Sequence, residues 1–137
     1  MTKTIYDPIE VDSDYFVTHE SEQNEFYAKI KTIPESLGDI LFGVDTPEII
    51  EKIAQSFRLS DQQSAELSRL IRKVLVAEIN IANMPSEIAN KLAVLPNTAK
   101  EVSDAVYQKV RGDYLAKLGK ATDRLIALKK DLDKELK

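Results

Sequence analysis

The side chains able to do chemistry in this 137-residue chain are few and far apart. Its one histidine, His19, stands beside Glu20, and an imidazole that titrates near neutrality can act as a general base. With no second histidine and no cysteine to complete a metal set, and no nucleophile in a strained turn nearby, the expected role of His19 is that of an exposed loop residue. Asp7, Glu10, Asp12 and Asp14 offer oxygens to a hard cation, but the stretch lacks the turn glycine and closing glutamate of a calcium loop. Gly38, Gly43, Gly112 and Gly119 are too dispersed to cradle a phosphate, and no Walker or dinucleotide signature occurs. Arg111-Gly112-Asp113 spells a tripeptide that adhesion receptors read in exposed loops, yet it falls inside an expected helix. Glu66, Glu78 and Glu101 make an acid–base pair only if separate helices bring them together. These residue types predict no catalytic, cofactor or metal site and no small-molecule substrate.

The elements that must position such residues are helical from about Ser21 onward. Phe26, Tyr27 and Ile30 share a face before Ile33-Pro34 breaks the segment. A short helix through Leu37, Ile40, Leu41 and Phe42 then meets Gly43, expected to stop it in a left-handed conformation. Thr46-Pro47-Glu48 reads as a helix start, followed by an apolar stripe of Ile49, Ile50, Ile53, Ala54 and Phe57. Ser60 and Gln63 form a capping box for a helix with Leu67, Leu70, Ile71, Val74 and Leu75 on one face, expected to run to about Ile81. Asn83-Met84-Pro85 opens another, and Asn97 is expected to cap a last helix that nothing stops before Lys137. At about 1.5 Å per residue that helix would be roughly 60 Å long, so its distal half should project. Before Ser21 the pattern differs. Ile9, Val11, Ser13, Tyr15 and Val17 alternate with Glu10, Asp12, Asp14 and Phe16, the period of an extended strand without a partner.

Between Pro47 and Val110 one unit occurs twice. Ile49-Ile50-Glu51-Lys52-Ile53-Ala54, Leu59-Ser60-Asp61 and Glu66-Leu67-Ser68 are echoed by Ile88-Ala89-Asn90-Lys91-Leu92-Ala93, Leu95-Pro96-Asn97 and Glu101-Val102-Ser103, with a gap of a few residues at the turn. In this rhythm the middle half of the chain resembles small uncharacterised all-helical bacterial proteins built from two tandem helical hairpins. The resemblance implies an all-α fold and no particular activity. The expected organisation is an extended acidic arm over 1–19, a helical-hairpin bundle over 20–118 and a projecting C-terminal helix over 119–137.

Composition narrows the function class. Hydrophobic residues make up 43% of the chain, enough for one core. The start Met1-Thr2-Lys3-Thr4 lacks the features of an export signal and the apolar runs are too short to span a bilayer, which predicts a cytoplasmic protein off the membrane. Residues 1–51 carry twelve acids against three lysines, whereas residues 52–137 carry sixteen bases against eleven acids. Stacked hairpins with two unsatisfied ends predict a non-catalytic interaction or scaffold protein. Its partner would be a protein, or a second copy through the C-terminal helix. Tyr6, Tyr15 and Phe16 of the arm would anchor the partner, and Leu118, Leu125, Leu128 and Leu132 form a heptad seam. The alternative is a nucleic-acid- or ribosome-associated protein holding phosphates through Lys117, Lys120 and Arg124. The stretch from Ile53 to Gln63, with Arg69, Arg72 and Lys73 beyond it, also has a helix-turn-helix cadence, although Asp61 and Glu66 would repel a DNA backbone.

Overall fold

The computed structural model describes residues 3–43, 45–109 and 112. Among these the regular elements are all helical, so the chain is an all-α protein with its helices bundled around one core. They are α1 (Ser13–Thr18), α2 (Glu20–Ile30), α3 (Glu35–Leu41), α4 (Asp45–Ser56), α5 (Asp61–Leu75), α6 (Met84–Leu92) and α7, described over 96–109. Single 3-10 turns at Thr4–Tyr6, Glu10–Asp12 and Ile81–Asn83 complete the set. No helix among the described residues is long and apolar enough to cross a membrane.

The organising element is α5, which touches the first two 3-10 turns, α3, α4 and α6. Its start is fixed locally: Ser60 Oγ accepts from the Gln63 amide at 3.1 Å and Gln63 Oε1 accepts from the Ser60 amide at 2.9 Å, the reciprocal capping box expected. Leu67, Leu70, Ile71 and Leu75 then enter the core with Phe26, Ile40, Leu41, Ile50, Ile53, Ile88, Leu92, Val102 and Val106. The helix ends at Leu75, earlier than the apolar pattern suggests. Ala77 takes φ 63° and turns the chain, and Asn80 caps the next 3-10 turn by accepting from the Ala82 amide.

The duplication is tighter in the structure than in the sequence. Arg58 and Ala93, 35 positions apart, both adopt φ 55° at the ends of α4 and α6. The same offset pairs Ile53 with Ile88, Leu67 with Val102, Ser68 with Ser103 and Ile71 with Val106, and all eight are buried. No gap is needed; Lys52 and Lys91 are not equivalent, because a surface lysine on each first helix falls in a different register. The turns of the two hairpins are tied by Gln63 Nε2, which donates to the Leu92 carbonyl at 2.9 Å.

Several boundaries differ from expectation for physical reasons. Thr46 is buried inside α4 and donates to the Ile40 carbonyl, so it ties α3 to α4 and caps nothing. Gly43 has no positive φ; its value is space, since a Cβ there would lie 2.7 Å from the Asp39 carbonyl. The largest correction is the N-terminal arm. Residues 3–19 are not an extended strand but two 3-10 turns and a short helix folded against the bundle, with the first turn lying on α4 and α5. Pro8 is fully buried and Tyr6, Ile9 and Phe16 pack on the core. A lone strand leaves its backbone groups unpaired, whereas local turns satisfy them and still deliver the alternate apolar side chains to a groove.

Candidate functional site

A polar cleft lies between α1–α2 and the C-terminal half of α5. Its centre is a carboxylate between two guanidinium groups. Asp12 Oδ1 accepts from Arg69 Nε at 2.8 Å, and Asp12 Oδ2 pairs with Arg72 Nη2 at 2.7 Å. Arg69 also reaches Glu66 at 2.7 Å, one helical turn back, and Arg72 Nη1 donates to the Pro8 carbonyl at 3.1 Å. Burial opposes ionisation of Asp12, but hydrogen bonds from Arg69 and Arg72, followed by their charges, outweigh it and hold the carboxyl below its ordinary value. The Arg72 guanidinium stands 5.3 Å from the Phe16 ring centre and 5.7 Å from that of Phe26, while the two rings stack at 5.4 Å. This cation is nearly buried and held by a carboxylate, a carbonyl and two aromatic rings.

Above that floor the cleft opens to about 520 Å³, with Tyr15, Glu22, Glu25, Lys29, Lys73 and Glu78 around it. Lys29 and Glu78 close one side with a 2.7 Å ion pair between α2 and the segment after α5. At the other side a hydrogen bond to Glu22, with the nearby carboxylate charges, pushes the Tyr15 hydroxyl above its usual acidity range. Tyr15 also stacks on His19 at 3.8 Å, and His19 Nδ1 lies 2.8 Å from the Tyr15 carbonyl. The rim mixes both signs of charge over an aromatic floor. Such a surface suits side-chain recognition, with oriented ion pairs and ring faces.

The expected site residues are dispersed by the fold. Tyr6 and Phe16 turn inward, where Phe16 supports Arg72, while Tyr15 remains 43% exposed at the rim. Leu118, Leu125, Leu128 and Leu132, and Lys117, Lys120 and Arg124, lie outside the described residues. Asp7 of the acidic stretch caps the second 3-10 turn, accepting from the Ile9 and Glu10 amides. Among the described residues no three His, Cys, Asp or Glu side chains are grouped to hold a metal. Arg69 and Arg72, which the helix-turn-helix cadence would give to phosphates, are engaged by Asp12. Ser64, Ser68 and Arg72, polar residues at four-residue steps along α5, are all buried; Ser64 carried no expectation, and Ser68 and Arg72 were expected as part of the repeat and of a basic face. A polar line beside an apolar stripe signals a packed segment that needs hydrogen bonds.

No family model, curated protein or solved structure matches the chain.

Proposed function

We propose that this protein is a non-catalytic helical interaction module whose partner-binding face is built by α1, α2 and the second half of α5. One observation carries the reading: an open cleft of about 520 Å³ with a mixed-charge rim over the Phe16–Arg72–Phe26 stack. Exposed Tyr15, Val17 and Tyr27 on the two helices that wall it add apolar and aromatic contact area, the kind that dominates binding energies at interfaces. The acidic excess of the first 51 residues favours a partner with a basic surface. The C-terminal segment, through the expected seam of Leu118, Leu125, Leu128 and Leu132, is the second docking element in this proposal.

The test is affinity capture by the tagged full chain with quantitative mass spectrometry of what is retained. Tyr15→Ser with Tyr27→Ser should reduce retention of a specific partner by about tenfold or more, the scale of two interface anchors, without moving Tm. Leu125→Asp with Leu128→Asp reports separately on the C-terminal segment. Undiminished capture by both double variants would remove the proposal. Retention of nucleic acid that falls steeply between low and physiological salt, and more gently after neutralising Lys117, Lys120 and Arg124, would favour the phosphate-binding alternative.

A further inference from the structure

The N-terminal segment occupies a groove on α4 and α5 in the manner of a bound peptide. Its contacts fall into three kinds. Pro8 is buried, with Tyr6 and Ile9 packed beside it as apolar anchors. Two main-chain carbonyls are read by buried donors of α5: Ser68 Oγ donates to Ile5 at 2.6 Å and Arg72 Nη1 to Pro8 at 3.1 Å. Asp12 then locks the end of the segment between Arg69 and Arg72. Main-chain contacts with pockets for a few side chains are the common grammar of peptide recognition.

Two further observations separate this groove from ordinary packing. The hairpin duplication accounts for Ser68, whose counterpart at the offset of 35 is the buried Ser103, but not for Arg72, whose counterpart is the exposed Tyr107. The guanidinium that reads both a carbonyl and a carboxylate is thus particular to the first hairpin. In addition, an emptied groove would expose its apolar floor to water together with the Ser68 hydroxyl and the Arg72 guanidinium, so the groove favours an occupant. The physical consequence is that local release of the resident segment leaves a groove ready for another peptide of the same chemistry.

We propose that the α4–α5 groove is a docking site for a partner's acidic peptide segment, with the chain's own residues 3–12 as its resident competitor. The ligand is an extended or singly turned stretch with an aromatic residue two positions before a proline and a carboxylate about four positions after it, the chemistry of Tyr6, Pro8 and Asp12. The inference rests on the reading of the chain as an interaction module; the groove shares Arg69 and Arg72 with the floor of the cleft, but its apolar anchors Tyr6, Pro8 and Ile9 lie apart from Tyr15 and Tyr27. Because the resident segment is tethered, it competes at a high effective concentration, and the untouched chain binds such a peptide weakly.

The probe is a fluorescent synthetic peptide with the sequence of residues 3–14, titrated against the full chain. Asp12→Ala in the protein loosens the resident segment and should tighten capture of the intact peptide by about tenfold, the scale of one charge-assisted clamp. A peptide carrying Asp12→Asn should lose that gain, and so should a chain carrying Asp12→Ala with Arg69→Gln. Absence of saturable binding to a folded Asp12→Ala chain would overturn the proposal, as would indifference to the peptide's Asp12. Doubling of the chain's mass in light scattering would overturn it too, by assigning the groove to a second copy's segment. Should Asp12→Ala fail to fold, hydrogen exchange on the unaltered chain decides: the amides of Tyr6, Asp7 and Val11, bonded within the segment, should exchange at least about a hundredfold faster than those of Leu70 and Ile71, by local release. Equal protection would overturn the proposal. Failed peptide binding with cleft-dependent capture intact strikes this inference alone, whereas the reverse result strikes the cleft.

Discussion

Asp12 is the residue on which the N-terminal half depends most directly. Its carboxylate is shared by Arg69 and Arg72, and the latter is almost wholly removed from solvent. Asp12→Ala leaves an uncompensated guanidinium beside two phenyl rings, a loss on the order of 2–3 kcal/mol; a fully buried pair would lose more, but Arg69 is about one-third exposed. Chemical denaturation of the variant against the parent checks this. The pH dependence has a definite sign. Asp12 is held below the ordinary value of 3.8, so its stabilisation is fully present above that pH and is lost as pH falls through the lower folded-state value. Acid titration of Tm should therefore show a descending limb below about pH 4 that flattens in Asp12→Asn, relative to that variant's own neutral-pH stability. An unchanged acid limb would mean that other carboxylates dominate.

At the scale of elements, helix ends set the register of both hairpins. Ser60 and Gln63 close a capping box at the start of α5, and Gln63 also bridges to α6. Removing the hydroxyl with Ser60→Ala should cost about 1 kcal/mol, while Gln63→Ala should cost more, because it also loses the tie between the hairpin turns. Ala93 ends α6 with φ 55°, a conformation that a Cβ disfavours by roughly 1–2 kcal/mol. Ala93→Gly relieves that penalty and gives part of it back through greater freedom in the unfolded chain, for a net gain of about 0.5 kcal/mol. Ala93→Val should lose more than about 1 kcal/mol, since a β-branched side chain is still less tolerant of positive φ. Equilibrium unfolding of the two variants reads the contrast directly.

For the whole molecule, the consequence of the docked N-terminal segment is that the bundle does not stand without it unaltered. The sequence alone treats residues 1–19 as an extended arm separate from the bundle. In the structure Pro8 is buried, and Ser68 and Arg72 donate to the segment's carbonyls. Deleting residues 1–12 exposes the apolar surface under Tyr6, Pro8 and Ile9 and removes the Asp12 carboxylate from between Arg69 and Arg72. Tm should fall on the order of 10 °C for a chain of this size, monitored by circular dichroism. An unchanged Tm would return the segment to the status of a free arm.

Apolar residues at helical spacing, the Ser60–Gln63 box, the Pro34 break and the duplicated hairpin were all legible in the chain itself, because local periodicity and capping depend on neighbours within a turn or two. The gapless register of the duplication was not, since the left-handed residues Arg58 and Ala93 are neither glycine nor asparagine and carry no turn signature. The period-two pattern of residues 9–17 was real but ambiguous: alternating apolar side chains satisfy a strand edge and a groove equally, and only the presence of α4 and α5 alongside chose between them. The cleft was invisible for the same reason. Asp12 lies 57 residues before Arg69, and their meeting is decided by packing at long range, where sequence spacing holds no information. The chain by itself determined the helical character of the segments from α2 onward; the tertiary structure alone decided the conformation of residues 3–19 and which polar groups the helices would bury together, because a buried charge is tolerated only where a distant partner arrives to meet it.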